Sequence, residues 1–188
     1  MKPRPLPDLD RPDLDLLTDA LLAELTPIAP TTALRERLLS STASSGRFAR
    51  FADQLANLID VTVQRARELL DRALDPSGWE PLPIPGATTL WVEGGPAAAA
   101  CIRGFVRIPA GHAFPHHTHV GDEQVLVLDG CMVDDTSGRE FHPGELSVMA
   151  AGTSHEYHAL AGATDLLIFA VVREGIDVGD QHFRHRDG

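Results

Sequence analysis

FPHHTHVGDEQVLVLDG, residues Phe114 to Gly130, decides how the rest of the chain is read. His116, His117, His119, Asp122 and Glu123 are crowded just ahead of an apolar run. Successive side chains of a strand point to opposite faces, so residues i and i+2 share one. His117 and His119 are such a pair, and Glu123 has the same parity. If the chain stays extended, or bulges once at Gly121, two imidazoles and a carboxylate converge on one point. Val125 and Val127 would line the same interior beyond them. After the turn AAGTS, His155 opens a further strand candidate and brings a third imidazole. Histidines with a carboxylate form a ligand set for zinc, Fe(II), manganese, nickel or copper. All nine histidines lie at or after His112, so whatever uses imidazole sits in the second half.

The surroundings have the composition of a globular protein. The chain has 188 residues, 43% hydrophobic and 23% charged, which allows one ordinary domain plus a smaller element. A formal net charge of -11 argues against a general nucleic-acid or anionic-membrane binder. No apolar run reaches the roughly 18 residues of a membrane span, and MKPRPLPDLDRPDLD has no signal-like apolar core. Cys101 and Cys131 form no CxxC and no disulfide framework, so both are expected as small buried hydrophobes in a reduced, cytoplasmic protein.

Texture divides the chain. Residues 1–78 read as a helical N-terminal region. Leu14, Leu17, Leu21 and Leu25 share a helical face. Pro27 and Pro30 interrupt it, and Thr31 or Thr32 can cap a short second helix, ALRERLLSS. Phe48, Phe51, Leu55 and Leu58 form another stripe. After a break near Asp60, Val63, Ala66, Leu69, Leu70 and Ala73 form one more. Arg65, Arg67 and Arg72 alternate with Glu68, Asp71 and Asp75, which reads as a solvated face rather than a phosphate-binding stripe. The leucine stripes are expected to mediate self-association, so that a barrel beginning near Pro76 would keep its metal and associate more weakly.

Residues 79–176 are β-rich. TTLWVE, CIRGFVRI, EQVLVLD, ELSVMA, HEYHAL and LLIFAVV are strand candidates separated by Gly and Pro turns, the texture of an antiparallel sandwich or barrel. Residues 177–188 read as a polar, mobile tail carrying His182 and His185. His112 and His116 are expected at the rim or surface, His158 outside, and Asp134 and Asp135 as turn residues.

The segment fits G-x5-H-x-H-x3-E-x6-G in full, at Gly111, His117, His119, Glu123 and Gly130. It resembles the first motif of the cupin superfamily. GELSVMAAGTSHEYHA resembles the second, with Gly144, Gly152 and His155 in register, and with Ala150 and Ala159 where the family usually has proline and often asparagine. VRIPAG and VLDGCMVDDTSGREFHPGE look like the corresponding segments of ChrR-like cupins.

The resemblance implies a mainly β fold: a small jelly-roll (double-stranded β-helix) barrel behind a helical region. It implies one divalent transition metal, zinc first and Fe(II), manganese or nickel as alternatives, held by His117, His119, Glu123 and His155. Phe114, Tyr157, Val125 and Val127 would shape the pocket. The implied role is regulatory sensing of an oxidant or small ligand, with a metal-dependent dioxygenase as the alternative. A homodimer and a sigma-factor partner belong to the same expectation. No histidine or cysteine in this chain precedes Cys101, so the zinc-binding motif of the ChrR anti-sigma domain is missing.

Overall fold

A computed structural model describes residues 31–35, 46–162 and 164–184. The chain divides into two compact units, Met1–Ser40 and Ser41–Gly188. Within the first, residues 32–35 form a helical turn, and Thr31 caps it by accepting a hydrogen bond from the Leu34 amide at 3.2 Å. The expected leucine face of residues 14–25 and the rest of ALRERLLSS lie outside the described residues.

The second unit begins with two helices, α1 (Ala52–Ile59) and α2 (Val63–Arg72). Asp60 ends α1 in the left-handed conformation, and Thr62 caps α2 by accepting from the Arg65 amide. The break expected near Asp60 is thus a tight αα corner. Asp60 also accepts from the Ala97 amide at 3.0 Å, tying the corner to the helical turn Pro96–Ala98 within the strand region.

Twelve short strands follow among the described residues: β1 (Glu80–Pro81), β2 (Thr88–Trp91), β3 (Cys101–Ile108), β4 (Ala113–His119), β5 (Glu123–Asp129), β6 (Met132–Asp134), β7 (Arg139–Phe141), β8 (Leu146–Met149), β9 (Ser154–Ala159), β10 (Leu166–Arg173), β11 (Ile176–Val178) and β12 (Gln181–Phe183). They pair into two six-stranded antiparallel sheets, β1-β2-β3-β10-β5-β8 and β12-β11-β4-β9-β6-β7. The expected mainly β architecture is present, with the helices N-terminal to the strands. Among the described residues no helix is long and apolar enough to cross a membrane.

Two apolar clusters explain the sequence pattern. Between the sheets, Val106, Val125, Val127, Leu166 and Ile168 meet Phe114, Met132, Phe141, Tyr157 and Ala159. On the other face of the first sheet, Leu90, Phe105, Leu126, Leu128 and Phe169 meet Phe48, Phe51, Leu55, Ile59, Leu69 and Leu70 of the helical segment. Strands β3, β5 and β10 are therefore covered on both faces, which is why VLVL and LLIF are unbroken apolar runs. In the second sheet β4 and β9 alternate, with one face inward and one toward solvent.

This corrects the expected role of the stripes between Phe48 and Ala73. They are not free faces awaiting a second copy but the cover of the barrel's first sheet. The charged face of α2 points away from that contact, with Arg65 and Glu68 paired in the open at 3.1 Å. The expected tail is also different: β11 pairs with β4, β12 pairs with β11, and His182 lies in a strand with Nδ1 2.9 Å from Asp177. Residues 185–188 lie outside the described residues.

Candidate metal centre

β4 is an unusual strand. Its sequence AFPHHTH is polar and holds Pro115, which removes a ladder donor. The ladder to β9 shifts register between Phe114 and His117, placing the irregularity at the proline. Beyond it the regular alternation returns, and His117 and His119 both turn inward, each 1% exposed. The chain does not simply bulge at Gly121, as the sequence suggested. It bends through residues 120–122 and crosses to the other sheet, so Glu123 opens β5. Gly121 is required for that crossing, because a Cβ there would sit 2.5 Å from the Arg173 carbonyl oxygen. His155 stands directly opposite His117 in the β4–β9 ladder.

The four side chains therefore meet from two sheets. One ligand atom from each of His117, His119, Glu123 and His155 lies within 4.8 Å of the others, and all four residues are buried. His119 Nε2 is 3.1 Å from Glu123 Oε2, and His155 Nε2 is 3.6 Å from the same oxygen. His155 Nε2 and His117 Nε2 are 3.1 Å apart.

The outward ring nitrogens decide what this group can hold. His117 Nδ1–H donates to the Pro115 carbonyl at 2.9 Å, and His155 Nδ1–H donates to Asp134 Oδ2 at 2.6 Å. Thr153 spends its hydroxyl hydrogen on the Ala150 carbonyl at 2.7 Å, so its oxygen accepts from His119 Nδ1–H at 3.0 Å. With every Nδ1 proton used outward, the three neutral rings present Nε2 lone pairs inward. Those lone pairs and a carboxylate face one another with no donor among them. Such a set is satisfied by a cation, and the residues present fit a divalent transition metal.

In the metal-free centre, burial opposes the charge on Glu123, but protonated imidazoles around it, His119 nearest at 3.1 Å, outweigh it and hold the carboxyl well below its usual range, as a bound cation would. Burial would likewise lower His155, yet Glu123 and Asp134 together raise it. Asp134 is lowered despite its burial, through His155 and through the Ser137 amide and hydroxyl.

Asp134 is the residue the sequence reading missed. It does make the expected turn, accepting from Ser137. It is also 1% exposed and orients the His155 ring. Its parity in MVD gave the signal, since it shares the face of core residue Met132. Asp134→Asn keeps the shape but allows the amide to turn its NH2 toward the ring and upset the tautomer. Metal affinity should fall roughly 10–100-fold, measured by competition with a chelating dye.

Around the centre, the Phe114 and Tyr157 rings stack with centroids 5.1 Å apart at 7°. Burial first, then the charge of Glu123, pushes the Tyr157 phenol well above its ordinary range, so it stays protonated. Both residues line a cavity of about 570 Å³ shared with Ile84, Val106, Val172 and Glu123. Val125 and Val127 are packed in the inter-sheet core and do not line it. His112 and His116 are exposed, and His158 reaches outward to Asp135 at 2.8 Å. Cys101 and Cys131 are both buried free thiols, Cys101 within β3 and Cys131 just ahead of β6.

No curated protein matches the chain. Among solved structures, it is similar to Rhodobacter sphaeroides SigE in complex with the anti-sigma ChrR, with a TM-score of 0.50, 22% identity, and coverage of 85% of this chain and 76% of that one. It is also similar to an acetylacetone dioxygenase from Acinetobacter johnsonii, with a TM-score of 0.51, 14% identity, and coverage of 58% and 81%. These likenesses are likenesses of fold. The sequence profile of the ChrR Cupin-like domain matches residues 73–173, more than half of the chain, and that span contains all four inward-facing residues that could hold a metal. By that match and by its two-sheet barrel, the chain belongs to the ChrR cupin-like family.

Proposed function

We propose that the protein is a regulatory metal-binding cupin. His117, His119, Glu123 and His155 hold one divalent transition metal, zinc first, and an oxidant or small ligand reaches it through the adjoining cavity. The observation that carries this reading is the outward use of all three Nδ1 protons, which leaves four acceptors and no donor at the centre. When bound, the metal supplies a Lewis-acidic centre at the edge of a largely apolar cavity. The protein's own residues orient the imidazoles, exclude bulk water and keep the Tyr157 phenol protonated beside the site. A sigma-factor partner and a homodimer belong to this reading. The first is supported by the fold shared with the SigE–ChrR structure, without the N-terminal zinc motif.

A second reading, a metal-dependent dioxygenase for a small organic substrate, is favoured by the cavity, whose volume of about 570 Å³ suits such a molecule and whose wall includes Glu123. The two separate in one experiment. Metal is identified in protein purified without added metal, and the protein is then exposed to oxidant. A sensor gives up its metal once, in stoichiometric proportion, and zinc-loaded protein shows no turnover. Fe(II)-loaded protein that consumes many equivalents of oxygen with a small diketone or aromatic substrate, and stops in Glu123→Gln, would replace the regulatory reading with the enzymatic one.

A further inference from the structure

Away from the barrel centre, the β6–β7 hairpin gathers a second set of metal-binding atoms. Met132 pairs with Phe141 and Val133 with Glu140. One more step of the same register sets Cys131 opposite His142, with Glu140 on the diagonal. Met132 and Phe141 face the core and Asp134 faces His155, so Cys131, Glu140 and His142 share the other face. Their thiol, carboxylate and imidazole atoms lie within 4.8 Å of one another.

The thiol is buried while the other two residues are exposed, so the group opens to solvent on one side only. His142 Nε2 lies 3.6 Å from Glu140 Oε2, and Glu145 adds a further carboxylate whose Oε2 accepts from the His142 amide at 2.6 Å. Arg139 is a cation on the same hairpin. It spreads over the Phe141 ring at 4.2 Å and comes no closer to Glu145 than 4.0 Å.

We propose that Cys131, Glu140 and His142 form a second metal site that takes one divalent ion of borderline softness, zinc being the ion that a mixed sulfur, nitrogen and oxygen set suits. Three protein ligands leave a fourth position for water. On binding, the Cys131 S–H bond breaks, the sulfur keeps the electron pair and donates it to the ion, and the proton leaves to solvent. Burial, followed by the charges of Glu140 and Glu145, holds this thiol above its ordinary range. The same carboxylates that oppose a lone thiolate favour a dication beside it. The ion would also brace the hairpin that carries Asp134.

Cobalt(II) titrated into the protein as purified tests the site, because the buried group has no sulfur donor. A sulfur-to-cobalt charge-transfer band in the near ultraviolet, saturating at one equivalent, is the expected result. Cys131→Ser should abolish the band and Cys101→Ser should leave it. His142→Ala alters an exposed side chain and should weaken cobalt binding by more than the roughly 10–100-fold that an outer hydrogen-bond partner costs. Absence of the band in the unaltered chain, its survival in Cys131→Ser, or an unchanged affinity in His142→Ala would each overturn the assignment.

Discussion

Protein carrying His155→Ala should be purified with little or no metal at the barrel centre, an effect larger than the roughly 10–100-fold expected for an outer partner such as Asp134. The comparison is made in a Cys131→Ser, His142→Ala background, so that the hairpin cluster, left with Glu140 alone of its three donors, adds little to elemental analysis. Removing the ring takes away one of four inward ligand atoms. It also leaves Asp134, 1% exposed, without its imidazole partner. Losing a hydrogen bond to a buried charge costs about 1.5–3 kcal/mol, so the melting temperature should fall with occupancy. His117→Ala removes a ligand without orphaning a carboxylate, since its outer partner is only the Pro115 carbonyl, and should lose metal with a smaller fall in stability.

Acid should mimic the loss in the unaltered chain. The folded protein raises His155, so without metal the protonated ring contributes stability below the ordinary histidine range and loses that contribution as pH rises through the raised value. Proton and metal compete for the same Nε2 atom, so metal loading should weaken as pH falls through the raised His155 value, beginning above the ordinary histidine range. Full metal content in both alanine variants would exclude these residues as ligands.

Deleting residues 46–75 should not yield a working barrel. The first sheet's outer face would present Leu90, Phe105, Leu126, Leu128 and Phe169 to water where the helices now cover them. A contiguous apolar surface of that kind aggregates or seeks a partner. The expected outcome is insoluble protein, or soluble protein that binds a hydrophobic dye and unfolds without a sharp transition. Point variants grade the same interface while leaving the helices in place. Leu55, fully buried in it, should cost about 2–5 kcal/mol when replaced by Ala, and Phe105, stacked edge-on against Phe169 at 4.8 Å, about 3–5 kcal/mol. Chemical denaturation measures both. A chain beginning at Pro76 that melts cooperatively at the original midpoint would show that the helices are an accessory rather than a wall.

Much of this was legible in the residues, for reasons that differ between elements. CIRGFVRI and EQVLVLD coincide with β3 and β5 because turn residues bound them and their composition is dense in β-branched and apolar side chains. The helical stripes were equally plain, since a period of 3.6 survives any context. What they packed against was not, because periodicity says that a face is buried and is silent about its partner. β1, β6, β7, β11 and β12 span only two or three residues each and exist through pairing, which leaves almost no local mark. The candidate ligand set, now seen as one buried cluster, stood out because its spacing joins two motifs. Asp134 did not, because its turn-forming sequence DDTSG conceals a side chain directed at His155.

The place of β10 has a consequence for synthesis. It is the last long strand in the chain, yet it lies between β3 and β5, with Phe169 facing Phe105 and Ile168 facing the inter-sheet core. Until residue 173 has left the ribosome, β3 and β5 have no common neighbour and both clusters lack their middle. The helices, made first, must wait with their apolar stripes uncovered while about a hundred residues follow, a long exposure for a chain dominated by distant pairings. A premature stop anywhere before β10 would therefore give a nascent product with two unfinished cores, a ready client for chaperones and proteases.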